Sequence, residues 1–298
     1  MCALSTFNCY GLWPPLYTDP TRRRRIREGL LRWYARDGRE LPWRRTRDPY
    51  AVLVSEIMLQ QTQVSRVLEA YPRFLQRFPT LAALARASLG DVLRAWSGLG
   101  YNRRARDLWR TARSGPGVVP STRPGLDALP GIGRYTAGAV ACFAFDLAEP
   151  FADTNVGRVL GRLVLGHPAS ANVAEAIDGE LLPRRRAARW HHALMDFGAT
   201  VCLARAPRCD RCPLARSCVA NARGTATVAA APKRQAAFAT SDRRVRGAIL
   251  RALAPSQDGL TVGALGAAVG DGRVSRLVGD LLADGLVERG GRRVRLPR

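Results

Sequence analysis

An all-helical body followed by a small module of three helices and a hairpin is the fold class this sequence predicts. Apolar residues recur at helical spacing in segment after segment from about residue 22 to 220. The connectors between these segments are short, and no convincing run of alternating Val, Ile and Thr intervenes. After residue 241 the order changes to an amphipathic segment, two segments around a glycine turn, and a hairpin signal with paired glycines. The chain has 298 residues and 47% hydrophobic content, enough for a core and for more than one domain.

Residues 1–21 have little periodicity and read as a loose arm. TRRRRIREGLLRWYARDG (21–38) reads as a helix with Ile26, Leu30, Leu31 and Trp33 on its apolar face and Thr21 as the expected cap. Helical patterns follow at 48–58, 62–76, 80–86, 88–96, 103–113, 123–128, 134–145, 153–166, 171–178 and 185–200. Residues 221–240, rich in Ala, Thr, Gly and Pro, read as a linker or surface strap. SDRRVRGAILRAL (241–253) is a capped amphipathic helix. Two more helices fill 260–285, and LVERGGRRVRLP (286–297) is a hairpin. Helix, helix-turn-helix and hairpin in that order make 241–298 winged-helix-like. Such modules bind DNA or serve as packing and protein-contact units. Eleven arginines against six acids in 242–298 favour DNA.

The charge balance points the same way. The chain holds 47 Lys+Arg against 24 Asp+Glu, a formal net charge of +23. No lysine-rich tail accounts for this, so the excess belongs to folded surface, where it attracts polyanions, nucleic acid first among them. The N-terminus lacks a positive, apolar leader pattern, and no segment approaches the roughly 18 apolar residues of a membrane span. Seven cysteines, mostly clustered, argue for a reducing, cytoplasmic setting and a metal site rather than a disulfide framework.

Four stretches could carry chemistry. In CLARAPRCDRCPLARSC (202–218), Cys202, Cys209, Cys212 and Cys218 are separated by six, two and five residues. That is a four-thiolate metal site whose spacing leaves the metal open. The loop also carries Arg205, Arg208, Arg211 and Arg216, suited to phosphates. Cys142, on an apolar helix face, reads as core. LPGIGRYTAGAV (129–140) places glycines at a helix start, where backbone N–H groups suit a phosphate oxygen, with Arg134 and Thr136 in support. In VSEIMLQQTQV (54–64), Glu56 sits in an apolar helix, where a carboxylate is costly unless paired or functional. Burial would suit it to general-acid work. Gln60, Gln61 and Thr62 follow at the helix break, able to meet base edges. Asp153, in FADTNVGRVLGRLV (151–164), is either a helix cap or a carboxylate set against a positive sugar.

These pieces occur together in an order that resembles the helix-hairpin-helix DNA glycosylases, most closely adenine DNA glycosylases of the MutY type. The matching text is LPW (41–43), PYAVLVSEIMLQQTQV (49–64), WSGLGYNRRARDL (96–108), LPGIGRYTAGAV (129–140), DTNVGRVLGR (153–162), ALMDFGATVC (193–202) and the cysteine loop, spanning about 22–220. The resemblance implies a two-lobed glycosylase domain in which the four cysteines hold a [4Fe–4S] cluster. It implies that Glu56 protonates the adenine ring and Asp153 stabilises an oxocarbenium-like sugar, the base having been flipped out of the duplex. By the same resemblance, Gln61 is inserted into the duplex, with Gln60 and Thr62 beside it, and Tyr101 stacks at the lesion. Leu129, Gly131, Gly133, Arg134, Tyr135 and Thr136 form the hairpin that grips the phosphate backbone, and Asn155 also faces DNA. The implied partner is double-stranded DNA with a mismatch or damaged base, met by a monomer away from membranes.

Strand-nicking relatives carry a lysine where this chain has Tyr135, so the expected activity is base release without a strong lyase step. The chain departs from the adenine enzymes in two places. It ends in the winged-helix-like module rather than in the pyrophosphohydrolase-like domain that reads 8-oxoguanine, and Asn102 stands where a second tyrosine is common. Related thymine/uracil mismatch glycosylases also lack that extra domain and form the second expectation. The intact SEIMLQQTQ text favours adenine.

Overall fold

The computed structural model describes residues 19–115, 117–227 and 237–298. Most of the N-terminal arm, the middle of the expected linker, Cys2 and Cys9 lie outside the described residues. The helices run α1 Pro20–Asp37, α2 Pro49–Leu59, α3 Val64–Arg77, α4 Leu81–Arg86, α5 Leu89–Ala95, α6 Arg103–Arg113, α7 Arg123–Asp127 and α8 Arg134–Phe145. They continue with α9 Thr154–Val164, α10 Ala171–Leu181, α11 Ala187–Thr200 and α12 Val219–Ala222. The C-terminal module comprises α13 Asp242–Leu253, β1 Leu260–Thr261, α14 Val262–Val269, α15 Val274–Ala283, β2 Glu288–Gly290 and β3 Arg293–Arg295.

The chain divides into two compact units. One is built from residues up to Glu40 and from Asp146–Pro232, the other from Leu41–Phe145 and Lys233–Arg298. In the first, α1 packs on α11, and α9 lies against α10, α11 and α12. The expected apolar face of α1 is buried, and Trp33 meets Phe197 edge-on at 5.0 Å between ring centroids. The cap differs from expectation: the Asp19 carboxylate accepts the Thr21 N–H at 2.9 Å, so α1 begins at Pro20, inside the stretch read as arm. Proline suits a first helical turn, where its missing N–H costs nothing.

A buried polar network fixes the segment that leads into Asp153. Asp178 accepts from Trp190 Nε1 at 2.7 Å and from the Phe151 N–H at 3.2 Å, and it lies 2.7 Å from His191 Nε2. Phe151 stacks on His191 with centroids 3.8 Å apart. A buried carboxylate is tolerated because each of these neighbours meets it.

In the second unit, α2 packs against α3, α6 and α8, while α4 and α5 lie on α6. Trp96, Phe74, Leu53, Met58 and Leu108 are fully buried there, and Cys142 is core as expected. In the C-terminal module α13, α14 and α15 pack on one another, and a three-stranded antiparallel sheet orders as β1-β3-β2. The hairpin was expected. β1 was not, because its two residues, pairing Leu260 with Val294 and Thr261 with Arg293, are too short to alternate visibly. The expected cap Ser241 turns its hydroxyl instead to the Phe238 carbonyl at 2.8 Å. The stretch read as linker begins with the end of α12 and ends in a 3₁₀ turn at Phe238–Thr240.

Candidate active site and cysteine loop

The catalytic candidate Glu56 is built into the most enclosed helix of its unit. Asp48 caps α2 by accepting the Tyr50 and Ala51 N–H groups, both at 3.2 Å, and every residue from Tyr50 to Met58 is buried. Glu56 is only 6% exposed, next to Leu53 and Ile57, which are more deeply buried still. A carboxylate in such a setting costs free energy that ordinary packing does not return.

Just beyond, α2 ends at residues that the sequence marked for DNA. Gln60 donates to Thr136 Oγ1 at 3.0 Å, joining the helix end to α8. Gln61 and Tyr101 both hold positive φ, 54° and 47°, a conformation that costs a non-glycine residue free energy and persists only where neighbours enforce it. The enforcing neighbour is Arg104. Its Nη1 donates to the carbonyls of Ile57 (2.8 Å), Met58 (2.9 Å) and Gln60. Its Nη2 donates to Thr62 Oγ1 (3.0 Å) and to the carbonyls of Leu99 (3.3 Å) and Gly100 (3.0 Å). One guanidinium thus satisfies the open carbonyls at the α2 C-terminus and ties them to the 98–101 loop. Burial lowers its pKa to about 10, which leaves it charged at neutral pH.

Arg104→Lys keeps the charge and loses the planar fork. The expected result is a folded protein with a lower melting temperature and a severalfold loss of duplex affinity, read by thermal denaturation and fluorescence anisotropy. Wild-type affinity in R104K would show that the fork does not position Gln61 and Tyr101.

The hairpin before α8 has the expected form. Gly131 is exposed with φ 72°, and a Cβ there would lie 2.7 Å from the Cβ of Asp107, so only glycine fits. Gly133 and Arg134 are exposed, Leu129 and Tyr135 half-buried, and Thr136 is buried and held by Gln60. The exposed glycines at the start of a twelve-residue helix leave backbone open to a phosphate.

Asp153 is a helix cap. Its Oδ1 accepts the Asn155 N–H at 2.9 Å and the Val156 N–H at 2.7 Å, and its Oδ2 accepts from Asn155 Nδ2 at 3.1 Å. Asn155 Oδ1 in turn accepts from Arg158 Nη2 at 2.9 Å, and Arg158 Nε donates to the Cys202 carbonyl at 2.9 Å. A continuous chain of hydrogen bonds therefore runs from the first cysteine of the loop to the Asp153 carboxylate.

All four clustered cysteines line one cavity of about 30 Å³. Burial, with repulsion from neighbouring thiolates, pushes the Cys212 thiol up to about 12 and raises Cys209 and Cys218 as well. Bound metal would reverse that preference by stabilising the thiolates. Arg162, 1% exposed, borders the cavity and donates to the carbonyls of Leu203 (2.6 Å) and Ala204 (2.8 Å) and to Cys202 Sγ at 3.6 Å. Its Nε is buried without a partner among the described residues, as a donor facing an absent acceptor would be. Among the described residues, no three His, Cys, Asp or Glu side chains gather as a single-ion site. A ring of thiols around a cavity suits a polynuclear cluster. Arg205, Arg208, Arg211 and Arg216 all face outward from the loop.

Residues 54–184 match the family model of the HhH-GPD superfamily base excision DNA repair proteins, which defines the class. Solved structures agree. A thermostable thymine-DNA glycosylase matches with a TM-score of 0.64 at 28% identity, over 68% of this chain and 98% of that one. Endonuclease III in a non-covalent DNA complex matches in fold, with a TM-score of 0.60 at 24% identity, over 68% of this chain and 97% of that one. The adenine DNA glycosylase of Mycobacterium tuberculosis is 43% identical over 272 residues, 87% of this chain and 89% of that protein. The human adenine DNA glycosylase is 42% identical over 226 residues, 70% of this chain and 41% of that longer protein. The chain belongs to the adenine DNA glycosylase family.

Sequence reasoning missed Arg104, Arg158 and Arg162. A signal existed for the first: Arg104 lies in phase with Leu108 and Thr111, both buried on α6, so helical periodicity already turned it inward. Arg162, between Gly161 and Leu163 in an apolar helix, carried the same mark.

Proposed function

We propose that this protein is an adenine-specific DNA glycosylase of base excision repair, hydrolysing the N-glycosidic bond of adenine mispaired with guanine or 8-oxoguanine in duplex DNA. The observation that carries the reading is the 43% identity to an adenine DNA glycosylase across 89% of that protein. The buried Glu56 in the intact SEIMLQQTQ stretch supports it. The thymine/uracil reading rests on a more distant likeness, 28% to a thymine-DNA glycosylase.

In this reading the flipped adenine takes a proton on a ring nitrogen from Glu56, and the bond to the sugar carbon breaks with its electron pair leaving on the base. The Asp153 carboxylate, aimed by the Asn155–Arg158 chain, stabilises the positive sugar until water adds to that carbon and gives up a proton. Gln61 and Tyr101 enter the duplex, Gln60 and Thr62 support them, and the Leu129–Thr136 hairpin grips the backbone, with Asn155 also near DNA. Cys202, Cys209, Cys212 and Cys218 would hold a [4Fe–4S] cluster. When bound, it would brace the loop whose arginines face phosphate and fix the Cys202 carbonyl that anchors Arg158. Residues 22–220 then form the glycosylase domain and 241–298 an appended module, acting as a monomer. No helix among the described residues is long and apolar enough to cross a membrane.

The test is a panel of duplexes pairing A, T, U or hypoxanthine with G, C or 8-oxoguanine, scored for base release under single turnover. Adenine release opposite G or 8-oxoguanine is expected. Release of T or U opposite G in its place overturns the reading in favour of the thymine/uracil one. For the cluster, iron and sulfide analysis with a broad visible absorbance is expected, and stoichiometric zinc in a colourless protein contradicts it.

A further inference from the structure

The C-terminal module carries a helix-turn-helix, and the usual reader in such a unit is its second helix, here α15. This α15 is poorly equipped to meet DNA. Its one cation, Arg276, is bound to Asp242 at 2.7 Å and Asp280 at 3.2 Å. Arg273, at its start, is bound to Asp271 at 2.9 Å and Asp242 at 3.0 Å. The exposed remainder of the helix is Ser275, Gly279, Asp280 and Ala283, which offers no positive charge.

The module's other arginines lie on the hairpin and tail (Arg289, Arg292, Arg293, Arg295 and Arg298) and on α13 (Arg243, Arg244, Arg246 and Arg251), and of these two sets α13 borders the segment that carries Gln61 and Tyr101. Within the second unit the module is anchored by the Gly90 N–H to the Pro297 carbonyl (2.8 Å), by Arg94 Nε to the Ala254 carbonyl (2.8 Å), and by Arg103 to Asp284 (2.8 Å). Gly90 is required there, since a Cβ would stand 2.6 Å from the Pro297 oxygen. This docking forms an open cleft of about 730 Å³ bordered by Gln60, Gln61 and Tyr101, by α13, and by Leu277 and Asp280 of α15. Of the seven arginines that border it, Arg103 and Arg246 are bound to Asp284, Arg244 to Asp271 and Arg104 to main-chain carbonyls, so the positive charge it offers lies with Arg66, Arg243 and Arg251. Arg243 donates to the Tyr101 hydroxyl and places its guanidinium 5.4 Å from the centre of that ring. Arg66 and Arg251 are exposed at the rim.

An arginine-rich cleft is made for an anion. The amides of Gln60 and Gln61 and the phenol ring beside Arg243 are made for a base edge and a base face. We infer that α13, rather than α15, is the DNA-contacting face of the module, and that Arg243 and Tyr101 form a site for one nucleotide of the bound duplex. Arg243 meets its phosphate, while Tyr101 and the glutamines meet its base. The inference rests on the reading of the protein as a DNA glycosylase and adds to it a task for a module otherwise without one.

The test compares Arg243→Ala, Arg243→Lys and Ser275→Glu by fluorescence anisotropy on a mismatch duplex, in the full chain carrying E56Q so that the substrate stays intact. R243A should weaken binding about tenfold and lower the slope of log affinity against log salt by about one. R243K should keep most of that slope. S275E places a negative charge on the exposed face of α15 and should leave affinity unchanged. Unchanged binding by R243A, or weakened binding by S275E, overturns the inference. Should R243A fail to fold, Arg243→Cys and Ser275→Cys are each offered a duplex with a phosphate-tethered thiol. Crosslinking of the R243C variant alone is expected, and crosslinking of the S275C variant alone overturns the site. Base release by the protein with Glu56 intact tests the enzymatic reading separately. Release without an Arg243 effect removes only this site, and an Arg243 effect without release removes only that reading.

Discussion

Glu56→Gln lowers single-turnover release of adenine from a mismatch duplex by about 10³-fold, within the range that a positioned general acid contributes. The same variant binds that duplex with nearly unchanged affinity. The reasoning is steric as well as chemical. Glutamine has the volume of glutamate, so the enclosed α2 and its neighbours Leu53 and Ile57 keep their packing. What is lost is an acidic proton, and without it the leaving base departs as an anion. A thermal melt close to that of the unmodified protein should accompany the loss, because the exchange also removes a buried carboxylate. Release at an unchanged rate would exclude Glu56 as the proton donor, whatever its burial.

Asp153→Asn separates the cap observed at α9 from the sugar-stabilising role proposed for the same carboxylate. As the cap of α9 it accepts two backbone N–H groups through Oδ1. Asparagine caps a helix about as well as aspartate, so the stability change should stay within about 1 kcal/mol. As the proposed partner of a positive sugar it needs its charge, which asparagine lacks, and base release should fall by about 10²–10³-fold. Asp153→Ala, by contrast, should lose activity and also about 1 kcal/mol of stability with the cap. If D153N releases adenine normally while D153A melts early, Asp153 is a cap only. The measurements are single-turnover kinetics and chemical denaturation of the same preparations.

Much of the site could be read before any fold was known, because its chemistry depends on local pattern. Glu56 stood out as one charge in an apolar helix. The hairpin glycines stood out as a pair two apart at a helix start, and the structure adds that Gly131 takes a backbone angle other residues avoid. The cysteines stood out by spacing. What local pattern could not reveal were partners distant in sequence. Arg104 meets carbonyls more than forty residues earlier in the chain, and Arg158 reaches Cys202 across forty-four. The caps went differently for a local reason: Asp19 rather than Thr21 caps α1, and Ser241 holds the N-cap position of α13 without a side-chain cap bond. Asp19 and Thr21 both suit a cap by composition, and the hydroxyl of Ser241 had a carbonyl to choose instead.

The primary structure alone settled the helical class, the buried carboxylate, the glycine hairpin and the four-thiol loop, since each is written in periodicity, spacing or a residue type that its setting would otherwise reject. Tertiary structure decided how those parts are held. It made Asp153 a cap linked through Asn155 and Arg158 to the cysteine loop, and it fixed Gln61 and Tyr101 in costly conformations around one guanidinium. It also turned Arg243 of α13 toward Tyr101 while ion pairs occupied Arg273 and Arg276 at α15. Which acid an arginine finds, and which carbonyl it satisfies, depends on where packing brings distant segments together, and no local pattern in the chain records that.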